Sequence, residues 1–268
     1  MTMPNKPTLL GIPFDANSSY MGGASLAPPL IRTAMNCDSS NSWSENGVNL
    51  ATLEIFGDAG DLQLPADASA FPLIEQSIEN LLAKGLRPIC LGGDHSITYP
   101  IVRTFARYFP NLTIVHFDAH PDLYDEFQGN RYSHACPFAR IMEDGWAKRL
   151  IQLGIRTMSR PLQEQVNKFG VEVVTMSQIP ALNRLELDGP VYISFDVDVL
   201  DPAFAPGISH REPGGMSVRE ALNLLHAIRG NVVGADLVEY NPTQDISQLT
   251  WMVCGRLLKE ILGKMIAG

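Results

Sequence analysis

Short apolar runs alternate along this chain with stretches of helical periodicity. Because strands that alternate with helices build a parallel sheet covered by helices on both faces, the alternation predicts an α/β fold. Right-handed crossovers then place the carboxyl ends of the strands along one edge of the sheet. The predicted strands are Thr8–Pro13, Leu53–Phe56, Arg87–Leu91, Thr113–Phe117, Leu150–Gly154, Val171–Thr175, Val191–Phe195 and Val232–Leu237.

Four segments have the apolar spacing or the capping residues of helices. Ser217 is a candidate N-cap, with Glu220 three residues later completing a capping box. The polar segment 39–48 is predicted to be a surface loop. No repeat, linker or low-complexity segment interrupts the chain, so we predict one domain over residues 1–268. The predicted helices are Leu30–Met35, Phe71–Lys84, Ser217–Ile228 and Leu249–Ile266.

The composition argues against several classes of protein. The chain has 268 residues and a net charge of −9 without a basic block, so a nucleic-acid partner is not expected. No apolar run approaches the length of a membrane span, and the first residues lack the apolar region of a signal peptide. These features predict a cytoplasmic protein with no membrane partner. Four scattered cysteines without a CxxC pair argue against a zinc ribbon or a disulfide framework.

Three aspartates follow the apolar run Val191–Phe195, at positions 196, 198 and 201. The β-branched and aromatic residues of that run indicate a strand buried on both faces. Alternate residues of a strand point to the same side, so Asp196 and Asp198 repel each other unless a cation neutralises them. A multivalent cation at this strand end is one interpretation, and a capped strand end with solvated acids is the other.

Other predicted strands also end in ionisable residues. In open α/β sheets, binding sites form outside the carboxyl ends of the strands. We therefore expect the side chains at these ends to share one cleft. They are His95, Asp118, His120, Asp122, Asp196, Asp198 and Glu239.

The side chains of this set indicate the kind of metal. Several carboxylates with only two imidazoles and no thiolate form a hard, oxygen-rich site, which suits Mn²⁺ better than zinc or copper, with Ni²⁺, Co²⁺ and Fe²⁺ as alternatives. Six ligands are too many for one tetrahedral ion and suit two. For each histidine taken alone, a structural role is the alternative. A phosphate cradle at Gly92 and Gly93 lacks the lysine of a P-loop.

Three motifs together resemble those of a known family. GGDHS at 92–96, DAHPD at 118–122 and SFDVDVLDP at 194–202 follow one another in this order. They resemble the ureohydrolases, which include arginases and agmatinases, and the resemblance is closest to plant-type arginases. It covers nearly the whole chain. It implies a three-layer α/β/α sandwich with an eight-stranded, mostly parallel sheet, within a single ureohydrolase domain.

The resemblance also implies roles for the residues of the site. A hydroxide that bridges two Mn²⁺ ions would attack a guanidinium carbon and release urea and an amine. Asp94 and Asp201 would orient the metal ligands. The implied ligands are His95 and Asp122 for one ion, His120 and Asp198 for the other, and Asp118 and Asp196 as bridges between them.

Two further residues receive roles from the resemblance. Glu239 would bind the guanidinium group, and with Asp122 it belongs to the predicted catalytic set. His134 would carry a proton to the leaving amine. Agmatinases and animal-type arginases usually have glycine after this histidine, whereas this chain has Ala135, so we expect the local backbone there to differ. The histidines at 116, 210 and 226 are predicted to be structural or surface residues.

The substrate is predicted to be a small guanidino compound, with L-arginine favoured over agmatine. An arginase has to meet the α-carboxylate of arginine, and Asn130 and Arg131 offer an amide and a cation before His134. Agmatine, guanidinobutyrate and formiminoglutamate remain alternative substrates. A one-metal, deacetylase-like enzyme or a non-catalytic binding protein is the alternative of another class. The resemblance implies a homotrimer or homohexamer.

Overall fold

One parallel sheet organises the molecule. The structure, a computed structural model, describes residues 5–51 and 54–268. Within these residues all strand pairings are parallel, and the order is β2-β1-β3-β8-β7-β4-β5-β6. The strands are β1 (Pro7–Ile12), β2 (Gly57–Asp61), β3 (Arg87–Gly92), β4 (Thr113–Phe117), β5 (Arg149–Ile155), β6 (Glu172–Thr175), β7 (Leu185–Asp196) and β8 (Ile228–Val238).

Helices cover both faces of this sheet, which confirms the predicted three-layer fold. Along β1, Leu9 packs into the hydrophobic core on one face and Leu10 into the core on the other. Helices α1, α6 and α7 contribute to the first core, and α2 to α5 contribute to the second. The helices are α1 (Ala27–Met35), α2 (Ala70–Leu82), α3 (Thr98–Tyr108), α4 (Pro137–Glu143), α5 (Arg160–Phe169), α6 (Val218–Ala227) and α7 (Leu249–Ala267).

The strand predicted at Leu53–Phe56 is wrong. Residues 54–56 form a turn and bend, Leu53 lies outside the described residues, and the strand is Gly57–Asp61. β2 is an edge strand that pairs only with β1, and most of its residues are exposed. An edge strand needs no apolar side chains on both faces, so its sequence lacks the signal of a buried strand. Phe56 belongs instead to the hydrophobic core beside the strand.

The predicted helices are all present, and the capping box is also found. The Ser217 hydroxyl accepts a hydrogen bond from the Glu220 backbone N–H, and Glu220 accepts one from the Ser217 N–H at 2.8 Å. α1 begins three residues before the predicted start, because Pro28 and Pro29 occupy its first turn, where proline is tolerated. In the described part of the chain, no helix is both long and apolar enough to span a membrane.

Candidate metal centre and substrate cavity

The loops that follow β3, β4 and β7 bring the six predicted metal ligands together. His95 follows β3, and its Nδ1 atom lies 3.0–3.2 Å from one carboxylate oxygen of each of three buried aspartates. Four potential ligand atoms therefore converge in one buried group. The three aspartates are Asp118, Asp122 and Asp196.

A second group of ligands shares Asp118 with the first. His120 Nδ1 lies 3.0 Å from Asp198 Oδ2 and 3.3 Å from Asp118 Oδ1. Asp118 thus directs Oδ2 toward His95 and Oδ1 toward His120. In each group the potential ligand atoms lie within 4.8 Å of one another. A carboxylate that reaches both groups has the geometry of a bridging ligand.

Close backbone packing fixes the position of His95. A Cβ atom on Gly93 would lie 1.8 Å from the Phe14 carbonyl oxygen, so only glycine fits there. The Asp94 side chain accepts hydrogen bonds from the Ser96 N–H at 3.0 Å and from the Asn17 N–H at 2.9 Å. The loop between β3 and α3 is therefore tied to the segment that follows β1.

Hydrogen bonds beneath the site set the tautomer of His95. The Ser194 hydroxyl donates to buried Asp236 at 2.7 Å, so it accepts from His95 Nε2, which lies 3.0 Å away. With a proton on Nε2, Nδ1 faces the three carboxylates. Burial lowers the pKa of His95, but these carboxylates outweigh it and raise that pKa well above its usual value, so a metal ion at Nδ1 would take the place of a proton. Hydrogen bonds of this kind orient histidines that bind metals.

The donor atoms fit divalent metal ions. Among the described residues, the buried Nδ1 atom of His95 has no hydrogen-bond partner, although three carboxylate oxygens lie close to it. Burial, and then repulsion by Asp198 and Asp118, raise the pKa of Asp196 well above its usual range. The protein alone therefore leaves these carboxylates short of positive charge, which a cation would supply. Four carboxylates with two imidazoles make a hard donor set.

His116 and Asp201 stand close to predicted ligands in the sequence, but only His116 contacts one of them. Gln152 donates to His116 Nδ1 at 3.1 Å, so His116 donates through Nε2 to Asp118 Oδ2 at 2.7 Å. His116 is thus a buried residue that holds a predicted ligand. Asp201 accepts hydrogen bonds from the backbone of Ala203, Gly214 and Gly215, so it organises its own loop and contacts no predicted ligand.

A cavity of 190 Å³ opens beside the two groups of ligands. Glu239, at the end of β8, lines it, and its Oε1 atom accepts a hydrogen bond from the His95 N–H at 2.9 Å. Burial raises the pKa of Glu239, but the hydrogen bond and charge of His134 outweigh it and keep that pKa below its usual value. The described contacts of Glu239 use Oε1, which leaves Oε2 for a ligand.

His134 lines the same cavity and contacts Glu239. Its Nδ1 atom lies 3.3 Å from Glu239 Oε1, and its Nε2 atom lies 2.8 Å from the Ser19 hydroxyl. Burial lowers the pKa of His134, but the Glu239 carboxylate outweighs this effect and raises the pKa to about 9. At neutral pH the imidazole is therefore protonated and the carboxylate is ionised. Ala135 lies at the cavity wall and is buried.

Asn130 and Arg131 do not line this cavity. The Asn130 amide donates to the Asn17 side chain at 3.1 Å. Arg131 is exposed and forms ion pairs with Asp125 at 3.0 Å and Glu143 at 2.7 Å. Their contact with the substrate stays a prediction, and the position of neither residue supports it.

His210 lines the cavity, whereas the sequence suggested a structural or surface histidine. Its ring stacks on that of His134, with centroids 5.0 Å apart and an interplanar angle of 27°. Burial, and then the positive charge of His134, lower the pKa of His210. No sequence motif marks this position, because His210 lies in an irregular loop that tertiary contacts bring to the site. His226 is remote from the cavity and lies 3.1 Å from buried Glu260.

Comparison with known proteins gives the family. The model of the arginase family matches residues 5–263. The chain belongs to the arginase family. An arginase of Arabidopsis thaliana is 46% identical over 96% of this chain and 80% of its own length, and an agmatinase of Bacillus subtilis is 33% identical over 95% and 90%. These matches confirm the family prediction, and the protein is an amidine-hydrolysing ureohydrolase.

Solved structures of arginase-family proteins have the same architecture. The arginase of Medicago truncatula is 44% identical and has a TM-score of 0.92, covering 97% of this chain and 87% of that chain. The proclavaminate amidino hydrolase of Streptomyces clavuligerus is 30% identical and has a TM-score of 0.84, covering 97% and 92%. One fold thus carries hydrolases that differ in their named substrates.

The prediction of a cytoplasmic location is wrong. The similar plant arginases of Medicago truncatula and Arabidopsis thaliana are named as mitochondrial, and one of the latter as chloroplastic or mitochondrial. The prediction relied on the absence of an apolar signal region. Organelle transit peptides are amphipathic and basic instead, so that absence could not exclude an organelle.

Proposed function

We propose that this protein hydrolyses the guanidinium group of L-arginine to urea and ornithine with two manganese ions. One observation carries the proposal: two groups of ligands share Asp118 beside a cavity that also contains an anionic Glu239. The two groups supply the donors for two ions. The carboxylate supplies the partner for a cationic substrate group.

Of the two histidines, Asp196 contacts His95 alone, so its role as a second bridge rests on the family resemblance, whereas the histidine contacts support the rest of the following division. His95 and Asp122 would hold one ion, His120 and Asp198 the other, and Asp118 and Asp196 both. When bound, a pair of divalent ions supplies a nucleophilic water at neutral pH by lowering the pKa of that water. The carboxylate-rich donor set favours Mn²⁺, with Ni²⁺, Co²⁺ and Fe²⁺ as alternatives.

Glu239 orients the substrate in this scheme. Its Oε2 atom, which the described contacts leave open, would accept a charge-assisted hydrogen bond from the guanidinium group and so hold that group in the cavity. Phe127, Leu162 and Tyr124 line the cavity and offer apolar surface to the carbon chain of the substrate. They also exclude bulk water, which strengthens the ion pair between Glu239 and the guanidinium group.

His134 supplies the proton that the leaving amine requires. It is protonated at neutral pH because Glu239 raises its pKa to about 9. An alkylamine leaves poorly as an anion, so protonation of its nitrogen has to accompany cleavage of the C–N bond. The Ser19 hydroxyl at 2.8 Å and the Glu239 carboxylate at 3.3 Å hold the ring at the cavity wall.

The similar proteins support arginine over agmatine as the substrate. Those that are 44–46% identical are named arginases, whereas the agmatinases are 33% identical. The test is a urea-release assay of the manganese-loaded protein with arginine, agmatine, guanidinobutyrate and guanidine. We expect the highest kcat/KM for L-arginine. A much higher kcat/KM for agmatine would overturn the choice of substrate and leave the ureohydrolase reaction in place.

A second experiment tests the role of Glu239. Glu239→Gln should lower kcat/KM for arginine at least about a hundredfold, because the ion pair with the guanidinium group is lost, while the metal content stays the same. Glu164→Gln is the matched control: this exposed residue of α5 pairs with Arg160 outside the metal centre, and its change should have little effect. Loss of metal in Glu239→Gln would instead make this residue a support of the metal centre.

Metal stoichiometry tests the alternative class. Two ions per chain support the proposed reaction, and elemental analysis of the purified protein measures them. A single ion that saturates activity would favour a one-metal, deacetylase-like enzyme.

A further inference from the structure

His210 covers one face of the His134 ring at the wall of the substrate cavity. The two rings are 5.0 Å apart and nearly parallel, with an interplanar angle of 27°. Glu239 and Ser19 contact the two nitrogen atoms of His134, so they hold the edge of the ring. These contacts at the two nitrogen atoms do not restrain the face of the His134 ring. His210 is the aromatic neighbour that restrains it.

Buried hydrogen bonds hold the segment that carries His210 in place. The Ser209 hydroxyl donates to the Met21 carbonyl at 2.8 Å, and the Asn241 amide donates to the Ser209 hydroxyl at 3.0 Å. The Asn241 N–H also donates to the Gly207 carbonyl at 2.8 Å. Three distant parts of the chain thus meet beside His210, and its ring has a fixed support.

The ring nitrogens of His210 are not needed for this support. No hydrogen bond joins them to any residue in ranges 5–51 and 54–268, and the ring contacts other aromatic rings instead. The three aromatic neighbours are Tyr20 at 5.8 Å, His120 at 6.0 Å and His134 at 5.0 Å. The contact with His134 is therefore made through the ring face.

We propose that His210 is a positioning residue, which holds the proton-donating ring of His134 in the orientation that reaches the leaving nitrogen of the substrate. This inference rests on the proposed function of the site. A proton donor that rotates about its side-chain bonds loses alignment with the leaving nitrogen, and small displacements of catalytic groups lower rates strongly. Among the described residues no hydrogen bond joins His210 to Glu239, so loss of the His210 ring should affect proton transfer more than binding of the guanidinium group.

The first test compares two variants of the manganese-loaded enzyme. His210→Ala removes the stacked face and should lower kcat for L-arginine about tenfold, with KM changed less than about threefold. His210→Phe keeps an aromatic face without ring nitrogens and should restore most of kcat. If His210→Phe is as slow as His210→Ala, or if His210→Ala keeps the full kcat, the positioning role is wrong.

A second substrate separates positioning from general damage to the site. L-Canavanine carries a guanidinooxy group, and its leaving group is an alkoxyamine, a much weaker base than an alkylamine. It therefore depends less on the proton that His134 donates. His210→Ala should slow hydrolysis of canavanine much less than hydrolysis of arginine. Equal losses with both substrates would show structural damage and overturn the inference.

Urea release by the unmodified enzyme distinguishes failure of the proposed function from failure of the role proposed for His210. If the unmodified, manganese-loaded protein releases no urea from arginine or canavanine, the proposed function fails before any variant is compared. If it releases urea and the two variants behave alike, only the role of His210 fails. Metal content and thermal unfolding of both variants should match those of the unmodified protein.

Discussion

At the scale of single residues, Asp118 connects the parts of the site. Its two oxygens point to different histidines, and His116 donates a hydrogen bond to it from below. Removal of its charge affects both groups of ligands at once, whereas loss of Asp122 or Asp198 affects one group. Among Asp118, Asp122 and Asp198, we therefore expect substitution of Asp118 to disturb the proposed binuclear arrangement most.

Asp118→Asn should abolish high-affinity binding of both metal ions and all urea release. The amide keeps the shape of the side chain but loses the negative charge that offsets two cations. Elemental analysis after gel filtration measures the metal. Asp188→Asn, in the exposed part of β7, is the matched control and should retain two ions. Retention of two ions by Asp118→Asn would exclude a bridging role for Asp118.

His134 makes the stability of the metal-free protein depend on pH. Its pKa is raised from 6.5 to about 9 in the folded chain, so the folded state binds a proton more tightly than the unfolded state. This stabilisation is complete below about pH 6.5 and is lost as the pH rises through about 9. The shift corresponds to roughly 3 kcal/mol at most.

Denaturant unfolding of the unmodified protein and of His134→Asn, both without metal, checks this expectation. The difference in unfolding free energy between the two proteins should shrink between pH 6.5 and 9.5. A difference that stays constant over this range would show that His134 gains no proton affinity on folding.

At the scale of the elements, the loop between β3 and α3 has little freedom to change. Its Gly93 packs against the Phe14 carbonyl oxygen, which belongs to the segment after β1. Hydrogen bonds hold the two residues that follow Gly93. The Asp94 side chain accepts from the Ser96 N–H, and the His95 N–H donates to Glu239. Packing of the two backbone segments, together with the hydrogen bond from the His95 N–H to Glu239, therefore holds His95 in place.

Gly93→Ala should lower the free energy of unfolding by about 1–3 kcal/mol and weaken metal binding. The added methyl group would lie 1.8 Å from the Phe14 oxygen, so the two backbone segments have to move apart. Gly22→Ala is the control, because its added Cβ would meet nothing closer than 3.8 Å. Unchanged stability and metal affinity in Gly93→Ala would mean that the loop adapts without displacing His95.

At the scale of the whole molecule, folding and metal binding are linked but separable. Two hydrophobic cores, one on each face of the sheet, do not include the metal site. The sheet therefore has its own source of stability. Metal ions that bind the six predicted ligands would require their folded arrangement, so they should add stability by mass action. The predicted single domain and the predicted homotrimer or homohexamer stay predictions.

Removal of metal with a chelator should lower Tm by roughly 5–10 °C and leave a cooperative transition. Circular dichroism at increasing temperature, with and without added Mn²⁺, measures the shift. The Asp118→Asn variant should show little response to Mn²⁺. Loss of all secondary structure on chelation would contradict independent stability of the sheet.

Residues close to strand ends were the most predictable part of the site. The six ligands and Glu239 follow buried strands, so the strand signal and the short motifs after it locate them together. Asn130 and Arg131 are predicted to contact the substrate because they offer an amide and a cation in the loop before His134. Proximity in sequence did not place them in the cavity, because Arg131 satisfies its charge with Asp125 and Glu143 on the surface.

The sequence by itself determined which residues stand at the ends of parallel strands, because burial on both faces requires continuous apolar runs there. Only the tertiary structure decided which ends become neighbours. β8 lies between β3 and β7, although it is the last strand of the chain, and this order brings Glu239 within 2.9 Å of the His95 N–H. Right-handed crossovers place the carboxyl ends of all the strands at the same edge of the sheet. They do not determine the order of the strands, which depends on side-chain packing. His210 depends on the same long-range packing, so no local pattern reveals its place beside His134.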